Sequence, residues 1–556
     1  MKTTKLKKAL LLGVAVCLSA GNMFAQSLLW SARYTSSHAQ IDYGNAVYVD
    51  GSNNVFVTGS VAGSLFIRKY NVSGTLQWTT TYNGAGSLND EGRAITADGS
   101  GNLYVTGITD VGSSNYNIVI IKYNSSGTQQ WANTYGPTGT WDYGNAIAWD
   151  ATNSYLYVAG SQNDSATIIK LNSSGTLQWG KKYVGTGSMA YDLELDCSAN
   201  PHICGIKLDG GSSVDAFTLK SNTSGTQQWS TSTGTSGSVD ESYCIKIDGS
   251  GNCYICGQAA NGGNSQDGFL QKLNSSGTSQ WISYAGGSNP DGFQSLALSN
   301  GCGASNPDIY VTGVDGIITH NQDILTCKYN NSGTQQWSDS YDGTGNNQID
   351  SYDIGYMILY SANTNKVIVA GITEDSNNKY DIIAIRHNIS TGAQDWSVIY
   401  NYSTANLYDQ EYPIWYCMGL GYDDCHLTDY VFITGGSQAS ATNLDVITLL
   451  IGATGDCSGR YASESNISII DNADNTIIYP NPFVSQSVLV VDSKIELYNA
   501  SFIIYDLYGK IISEVNGITT HSINIERGDA SDGIYFYRLI DGENIISTGK
   551  IIMVRE

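Results

Sequence analysis

The run Asn102-Leu103-Tyr104-Val105-Thr106-Gly107 is apolar, β-branched and aromatic, and near-copies of it recur along most of the chain. The copies end at Gly59, Gly107, Gly160, Gly205, Gly257, Gly313, Gly371 and Gly435, each after a small residue such as Thr58, Ala159 or Cys204. Such a run predicts a buried strand whose end needs positive φ or close backbone approach. The second period shows the full unit, with strands over 93–98, 103–107, 117–123 and 128–135, lettered A to D in order. Asp98-Gly99-Ser100-Gly101-Asn102 joins A to B, and Asn124-Ser125-Ser126-Gly127-Thr128 joins C to D. Both are hairpin chemistry, with glycine at left-handed positions.

The period is also visible in the tryptophans. Trp30, Trp78, Trp131, Trp179, Trp229, Trp281, Trp337 and Trp396 form one column with a spacing of about 50 residues. Four antiparallel strands in a repeat of that length match a β-propeller blade rather than a solenoid coil. The last copy has A, B and C strands but no Gly-Thr-x-x-Trp strand, and the array begins with a lone D-type strand at 28–34. Pairing that strand with 445–451 hides both edges and closes a ring. The expected fold is therefore all-β, an eight-bladed β-propeller closed by an N-terminal strand, with seven blades as the alternative, followed by a small β-sandwich.

The pattern Gly74-Thr75-Leu76-Gln77-Trp78, Asp142-Tyr143-Gly144-Asn145-Ala146-Ile147 and Asn102-Leu103-Tyr104-Val105-Thr106-Gly107 resembles the bacterial seven-bladed β-propeller repeat family over 28–457. The resemblance implies a scaffold and carries over no catalytic residue. The count differs, since eight repeats stand here. After a polar linker, Ile477-Ile478-Tyr479-Pro480-Asn481-Pro482-Phe483, Ile503-Ile504-Tyr505-Asp506-Leu507-Tyr508-Gly509-Lys510 and Gly533-Ile534-Tyr535-Phe536-Tyr537-Arg538-Leu539 follow in order. This order is similar to the C-terminal sorting domain of the type IX secretion system. That likeness implies an address for crossing the outer membrane, usually removed on the way out, with the secretion machinery as partner of 477–556.

Residues 1–25 read as a signal peptide. Lys2, Lys5, Lys7 and Lys8 precede an apolar run too short to span a bilayer, with small residues around Ala25. The remaining domains are then the propeller at 26–457, a linker at 458–476 and the sorting sandwich at 477–556. The expected location is secreted or on the outer cell surface, reached through the periplasm, with no transmembrane segment. Lys+Arg at 27 against Asp+Glu at 50 gives a net charge of -23, which repels phosphate backbones, so nucleic acid is excluded as a partner.

Candidate chemistry divides into columns and exceptions. Asp42, Asp90, Asp142, Asp240, Asp291, Asp350 and Asp409 precede strand A, and a ring of carboxylates suits hard cations. Recurrence in nearly every unit instead favours aspartates that bond turn backbone, so no metal or other cofactor is assigned. Lys69, Lys122, Lys170, Lys220, Lys272, Lys328 and Arg386 end strand C and read as scaffold pairs between blades or at the surface. Cys244 and Cys256 sit symmetrically about an A–B turn, and Cys197 and Cys204 flank the corresponding turn before it. Either pair is a candidate disulfide in an exported chain, with a free apolar filler as the alternative.

No nucleophile elbow or base motif is present, and no catalytic residue is assigned. Nonrepeating residues are the better ligand candidates, because the scaffold explains the columns. Entering the last repeat, Tyr408, Tyr412 and Trp415 stand beside Asp409 and Glu411, and Trp141 is a second outlier. Aromatic rings beside carboxylates suit sugars or a protein hot spot, the alternative being that they pack their own loop. The functional expectation is a binding or adhesion scaffold for protein or glycan, with a polysaccharide-active hydrolase or lyase as the alternative.

Overall fold

A computed structural model describes residues 25–34, 42–400, 417–454 and 476–553, apart from short loop stretches within them. The leader at 1–24 lies outside the described residues. The chain divides into two compact units, Gln26–Ala453 and a second one that takes Thr454–Glu556.

The first unit is built from eight repeated sheets among the described residues. Sheets 1 to 5 occupy Tyr43–Tyr82, Glu91–Tyr135, Tyr143–Thr186, Met189–Thr233 and Glu241–Ala285, and each runs A-B-C-D in chain order. Sheet 6 (Gly292–Tyr341) adds a short parallel partner, Ser351–Tyr352, and sheet 7 covers Ile354–Tyr400. In sheet 8 the order is Ala25–Tyr34, Asn443–Thr454, Thr428–Ser440, Cys417–Asp423, so the first strand of the unit lies beside the last. Arg33 Nη1 of that first strand donates to Asp445 Oδ2 at 3.0 Å.

Strand B of each sheet is buried on both faces, as in Leu103–Asp110, whose eight residues are all buried. Strand D is the exposed edge, with an alternating pattern in Leu76–Tyr82. The glycine that ends each B run answers to close approach. A Cβ on Gly107 would sit 1.8 Å from the Glu91 carbonyl oxygen of strand A.

Adjacent sheets are fastened at the outer rim by the tryptophan column. Trp131 Nε1 donates to Ser173 O of the next sheet at 3.3 Å, and Lys122 Nζ donates to the same oxygen at 3.1 Å. Trp179 and Lys170 converge in the same way on Thr223 O, and Trp337 and Lys328 on Ile389 O. Lys122 and Trp131 are also cross-strand partners, as are Lys170 and Trp179. The indole then covers the turn glycine of that neighbour. Gly175 has φ +82, and a Cβ there would lie 2.7 Å from Trp131. Trp30 repeats the arrangement between sheets 8 and 1, donating to Val72 O at 2.9 Å above Gly74. At the inner side, a Cβ on Gly44 would meet Thr434 of sheet 8, just as one on Gly92 would meet Thr58 of sheet 1.

The aspartates before strand A cap backbone in their own sheet. Asp42 accepts from Ala62 N at 2.8 Å, Asp240 from Ala260 N at 2.7 Å and Asp291 from Gly316 N at 2.9 Å. Asp350 and Asp409 lie outside the described residues. In sheet 7 the capping role belongs to Asp353, which accepts from Glu374 N at 3.1 Å, and in sheet 4 Ser188 takes the position.

Of the two alternatives for each cysteine pair, the structure has the free one: Cys197, Cys204, Cys244 and Cys256 are free thiols. Cys244 does face Cys256 across the A–B ladder, but its thiol is turned to Leu296 O of sheet 6 at 3.8 Å. Cys197 is exposed in its turn, whereas Cys204 is buried along strand B with its thiol toward Ser242 O of sheet 5. Burial pushes the Cys204 and Cys256 thiols well above their ordinary pKa, which makes them unreactive fillers.

The second unit packs two antiparallel sheets around Phe483, Leu489, Phe502, Leu539 and Ile551. Among the described residues, no helix is long and apolar enough to cross a membrane.

Gly175→Ala tests the rim fastening. The substitution forces an L-residue to positive φ and drives the Trp131 ring off its carbonyl, so we expect a loss of roughly 1–3 kcal/mol in chemical denaturation. Gly99→Ala is the control, because nothing lies within 4 Å of its added Cβ. Equal stability of the two variants would refute the role of the indole cover.

Candidate functional site

Strand A of sheets 1 to 7 starts with a β-bulge, whereas in sheet 8 the register runs unbroken from Cys417 to Asp423. The A–B register slips between Gly44 and Ala46, Gly92 and Ala94, Gly144 and Ala146, Ala190 and Asp192, Ser242 and Cys244, Phe293 and Ser295, and Gly355 and Met357. One residue per strand is thereby left out of the ladder, and a bulge of this kind re-aims its side chain. The extra residues are Asn45, Arg93, Asn145, Tyr191, Tyr243, Gln294 and Tyr356, and all seven line a single cavity of about 440 Å³. The bulge repeats in all seven, while the residue it presents is Asn, Arg, Gln or Tyr.

The ring has two chemically distinct halves. In sheets 1 to 3, Asn45 Nδ2 donates to Glu91 Oε1 at 2.7 Å and to Gly92 O at 2.9 Å. Arg93 Nη1 donates to Asn145 Oδ1 at 2.9 Å, and its guanidinium lies 3.3 Å from Glu91. Asn145 Nδ2 reaches on to Ala190 O of sheet 4 at 2.9 Å. Arg93 also sits 5.0 Å above the ring of Tyr143. Burial and the Glu91 carboxylate together hold the Tyr43 hydroxyl protonated, far above its ordinary pKa.

The opposite half is aromatic. Tyr191 and Tyr243 stack at 6.1 Å and 27°. The Tyr243 hydroxyl donates to Glu241, which also accepts from Gln258 Nε2 at 2.9 Å. Burial, aided by Glu241, pushes Tyr191 up to about 12, and burial moves Tyr356 to the same range. Farther along the same strands, Lys246 Nζ lies 3.2 Å from Glu194 and 3.8 Å from Asp192. Burial opposes its charge, and the two carboxylates more than compensate, so it stays a cation.

The sequence candidates fall on different ground. Tyr408, Tyr412, Trp415, Asp409 and Glu411 lie outside the described residues. Trp141 is 55 % exposed and stands edge-on to Tyr116, with centroids 5.8 Å apart at 80°. The bulge residues were missed, although a signal existed. Between the invariant-looking Gly44, Gly92 and Gly144 and the following small residues stands one position whose identity changes from repeat to repeat. Among the histidines, His202 fills the strand B column otherwise held by Tyr104, Tyr157, Tyr254 and Tyr310, packed 5.8 Å from Trp229. Burial and Lys220 lower its pKa to about 4, so it stays neutral and structural.

Asp323, Asp342 and Asp353 each bring a carboxylate oxygen within 4.8 Å of the others at the junction of sheets 6 and 7. Burial, with Asp342 next, raises Asp323 to about 6. Burial likewise raises Asp291 to about 7, with Asp315 adding to it against the Gly316 N–H.

Comparison with known proteins gives one family. Residues 477–554 match the family described as the secretion system C-terminal sorting domain. The protein is therefore type IX cargo, exported to the cell surface or released, and its tail is the part that engages the secretion machinery. No curated protein matches the chain. Among solved structures, an ancestral GH74 enzyme is 10% identical at a TM-score of 0.38, covering 94% of this chain and 63% of its own. A PL25 ulvan lyase bound to -[GlcA(1-4)Rha3S]- is 10% identical at 0.36, covering 63% and 92%. The quinohemoprotein alcohol dehydrogenase of Comamonas testosteroni is 9% identical at 0.35, covering 81% and 79%. Likeness at this level carries no argument about chemistry.

The acidic junction sets a pH dependence. Asp291 and Asp323 have folded pKa values above the unfolded value near 4, so protonation favours the folded state. Their stabilising contribution is complete below about pH 4 and is lost as pH rises through about 6 to 7. The melting temperature should therefore fall between pH 5 and pH 8, and Asp323→Asn should flatten that slope. An unchanged slope in the variant would show that the junction does not titrate in this window.

Proposed function

We propose that this exported protein is an eight-bladed β-propeller whose ring is closed by its N-terminal strand, and that it captures a glycan at the mouth of its axial channel. Closure is supported by the strand order of sheet 8, by Trp30 over Gly74, and by the packing of Gly44 on Thr434. The binding role rests on one observation, the seven bulged residues around one cavity, which are polar or charged (Asn, Arg, Gln) in sheets 1, 2, 3 and 6 and tyrosine in sheets 4, 5 and 7. Amide, guanidinium and carboxylate groups on one side supply paired hydrogen bonds to hydroxyls. Tyrosine rings on the other supply faces for apolar C–H surfaces. The loop with Tyr408, Tyr412, Trp415, Asp409 and Glu411 enters the last sheet and is proposed as an auxiliary contact.

A second reading is an enzyme acting on the same ligand, favoured by Glu91 and Glu241. They occupy the same position in strands A of sheets 2 and 5, and each accepts from a residue that lines the cavity, Asn45 and Tyr243 respectively. Product analysis alongside binding separates the two readings.

Screening the purified protein on a glycan array tests the proposal. Asn145→Ala and Tyr243→Ala should each weaken the captured glycan about tenfold or more, corresponding to about 1.4 kcal/mol or greater. Tyr408→Ala with Tyr412→Ala should cause a smaller loss, with the melting temperature nearly unchanged. Unaltered capture by both channel variants sinks the assignment of the site.

Closure has its own test. Deleting residues 26–34 exposes two edges at once and should lower stability far more than removal of an ordinary edge strand. A truncated protein that melts like the full chain would overturn the closed ring.

A further inference from the structure

We infer that the channel mouth continues outward onto an aromatic platform made by Tyr143, Tyr116 and Trp141, so that the site takes a neutral oligosaccharide rather than a single sugar unit. This inference rests on the glycan reading of the mouth and extends it. Trp141, Tyr143 and Asn145 are alternate residues of one extended segment, which leads from the exposed indole to the bulged amide in the cavity wall. Tyr143 lies beneath the Arg93 guanidinium, and Arg93 is hydrogen-bonded to Asn145, so the middle of the platform joins the polar half of the mouth directly. Tyr116 adjoins both ends. It touches Trp141 edge-on, and its hydroxyl accepts from Asn89 Nδ2 at 3.2 Å.

Trp141 is held rigidly although its ring is exposed. Its backbone bridges to Tyr116, and the next residue, Asp142, donates its N–H to Tyr116 O at 2.8 Å. The Asp142 carboxylate is buried and accepts from Asn163 N and from Thr140 Oγ1. The backbone that carries the ring is thereby pinned, and the ring itself rests edge-on against Tyr116. The corresponding places hold Asn89, Val239 and Tyr352, so the scaffold does not require an indole there. The exposed face of the indole is wide and apolar, which suits the C–H face of a pyranose. The amide and carboxylate groups of the mouth suit its hydroxyls.

The charge pattern decides between neutral and acidic sugars. The positive charge of Arg93 is matched by Glu91 at 3.3 Å, and that of Lys246 is matched by Glu194 and Asp192. With a net charge of -23 on the chain, uronic or sulfated chains are repelled on approach.

The test is calorimetric titration of the full chain with neutral gluco-, xylo- and manno-oligosaccharides of increasing length, with alginate oligosaccharides and an aromatic-rich peptide as controls. For the neutral ladder that binds, affinity should rise at least tenfold from the single sugar to the longer members. Trp141→Ala should remove that gain and leave single-sugar binding unchanged, Trp141→Phe should keep most of it, and Asn145→Ala should weaken every length. Binding independent of length, a Trp141→Ala variant that binds like the parent, or preference for alginate or peptide would each overturn the inference. If length dependence fails while Asn145→Ala still abolishes sugar capture, only the platform is wrong. If none of the neutral ladders binds at all, the glycan reading of the channel falls with it.

Discussion

The first unit depends on one repeated interaction, in which a tryptophan of one sheet donates to a turn carbonyl oxygen of the next, joined at three junctions by a lysine on the same oxygen. A carbonyl has two lone pairs, and here both donors are fixed by being cross-strand partners in the same ladder. The acceptor lies in a turn that glycine bends to positive φ, so the turn is narrow enough for the indole to lie over it. Each element of the Gly-Thr-x-x-Trp signature thus serves a neighbour: the glycine accommodates the preceding sheet's indole, and the tryptophan reaches the following sheet's turn. Stability is consequently a property of consecutive pairs of sheets, as in other repeat architectures.

The same logic separates what the sequence made legible from what it did not. Buried B strands, hairpin turns and the tryptophan column are local chemistry repeated eight times, and the orphan D-type strand was recognisable because its partner strand was missing at the other end. The sorting tail was legible for a related reason, three motifs in a fixed order. Asp353 meets the turn amide of sheet 7 three residues after Asp350, which lies outside the described residues, and spacing alone cannot tell which of two nearby aspartates does so. The paired placement of Cys244 and Cys256 was correct at the level of register and wrong at the level of bonding, since rotamer and neighbouring sheet decide where a thiol points.

The bulged residues that line the cavity were the largest omission, and the cause is physical. A bulge adds one residue to a strand without changing the apolar alternation on either side of it, so Asn45, Arg93 or Tyr243 reads as an ordinary outward polar position. Only pairing register shows that these residues are aimed inward. Attention to nonrepeating positions settled on loops, where variation is conspicuous, rather than on a single variable slot inside a repeated strand.

That slot has an evolutionary consequence. Because the extra residue makes no ladder bonds, its side chain is exchangeable without cost to the pairing on which the sheets depend. Duplication of a repeat copies the whole rim fastening intact and delivers one new free position to the common cavity. A protein assembled in this way changes the lining of its cavity one letter at a time while its architecture stays constant. The lineage inherits a fixed frame and a short, rewritable word at its centre.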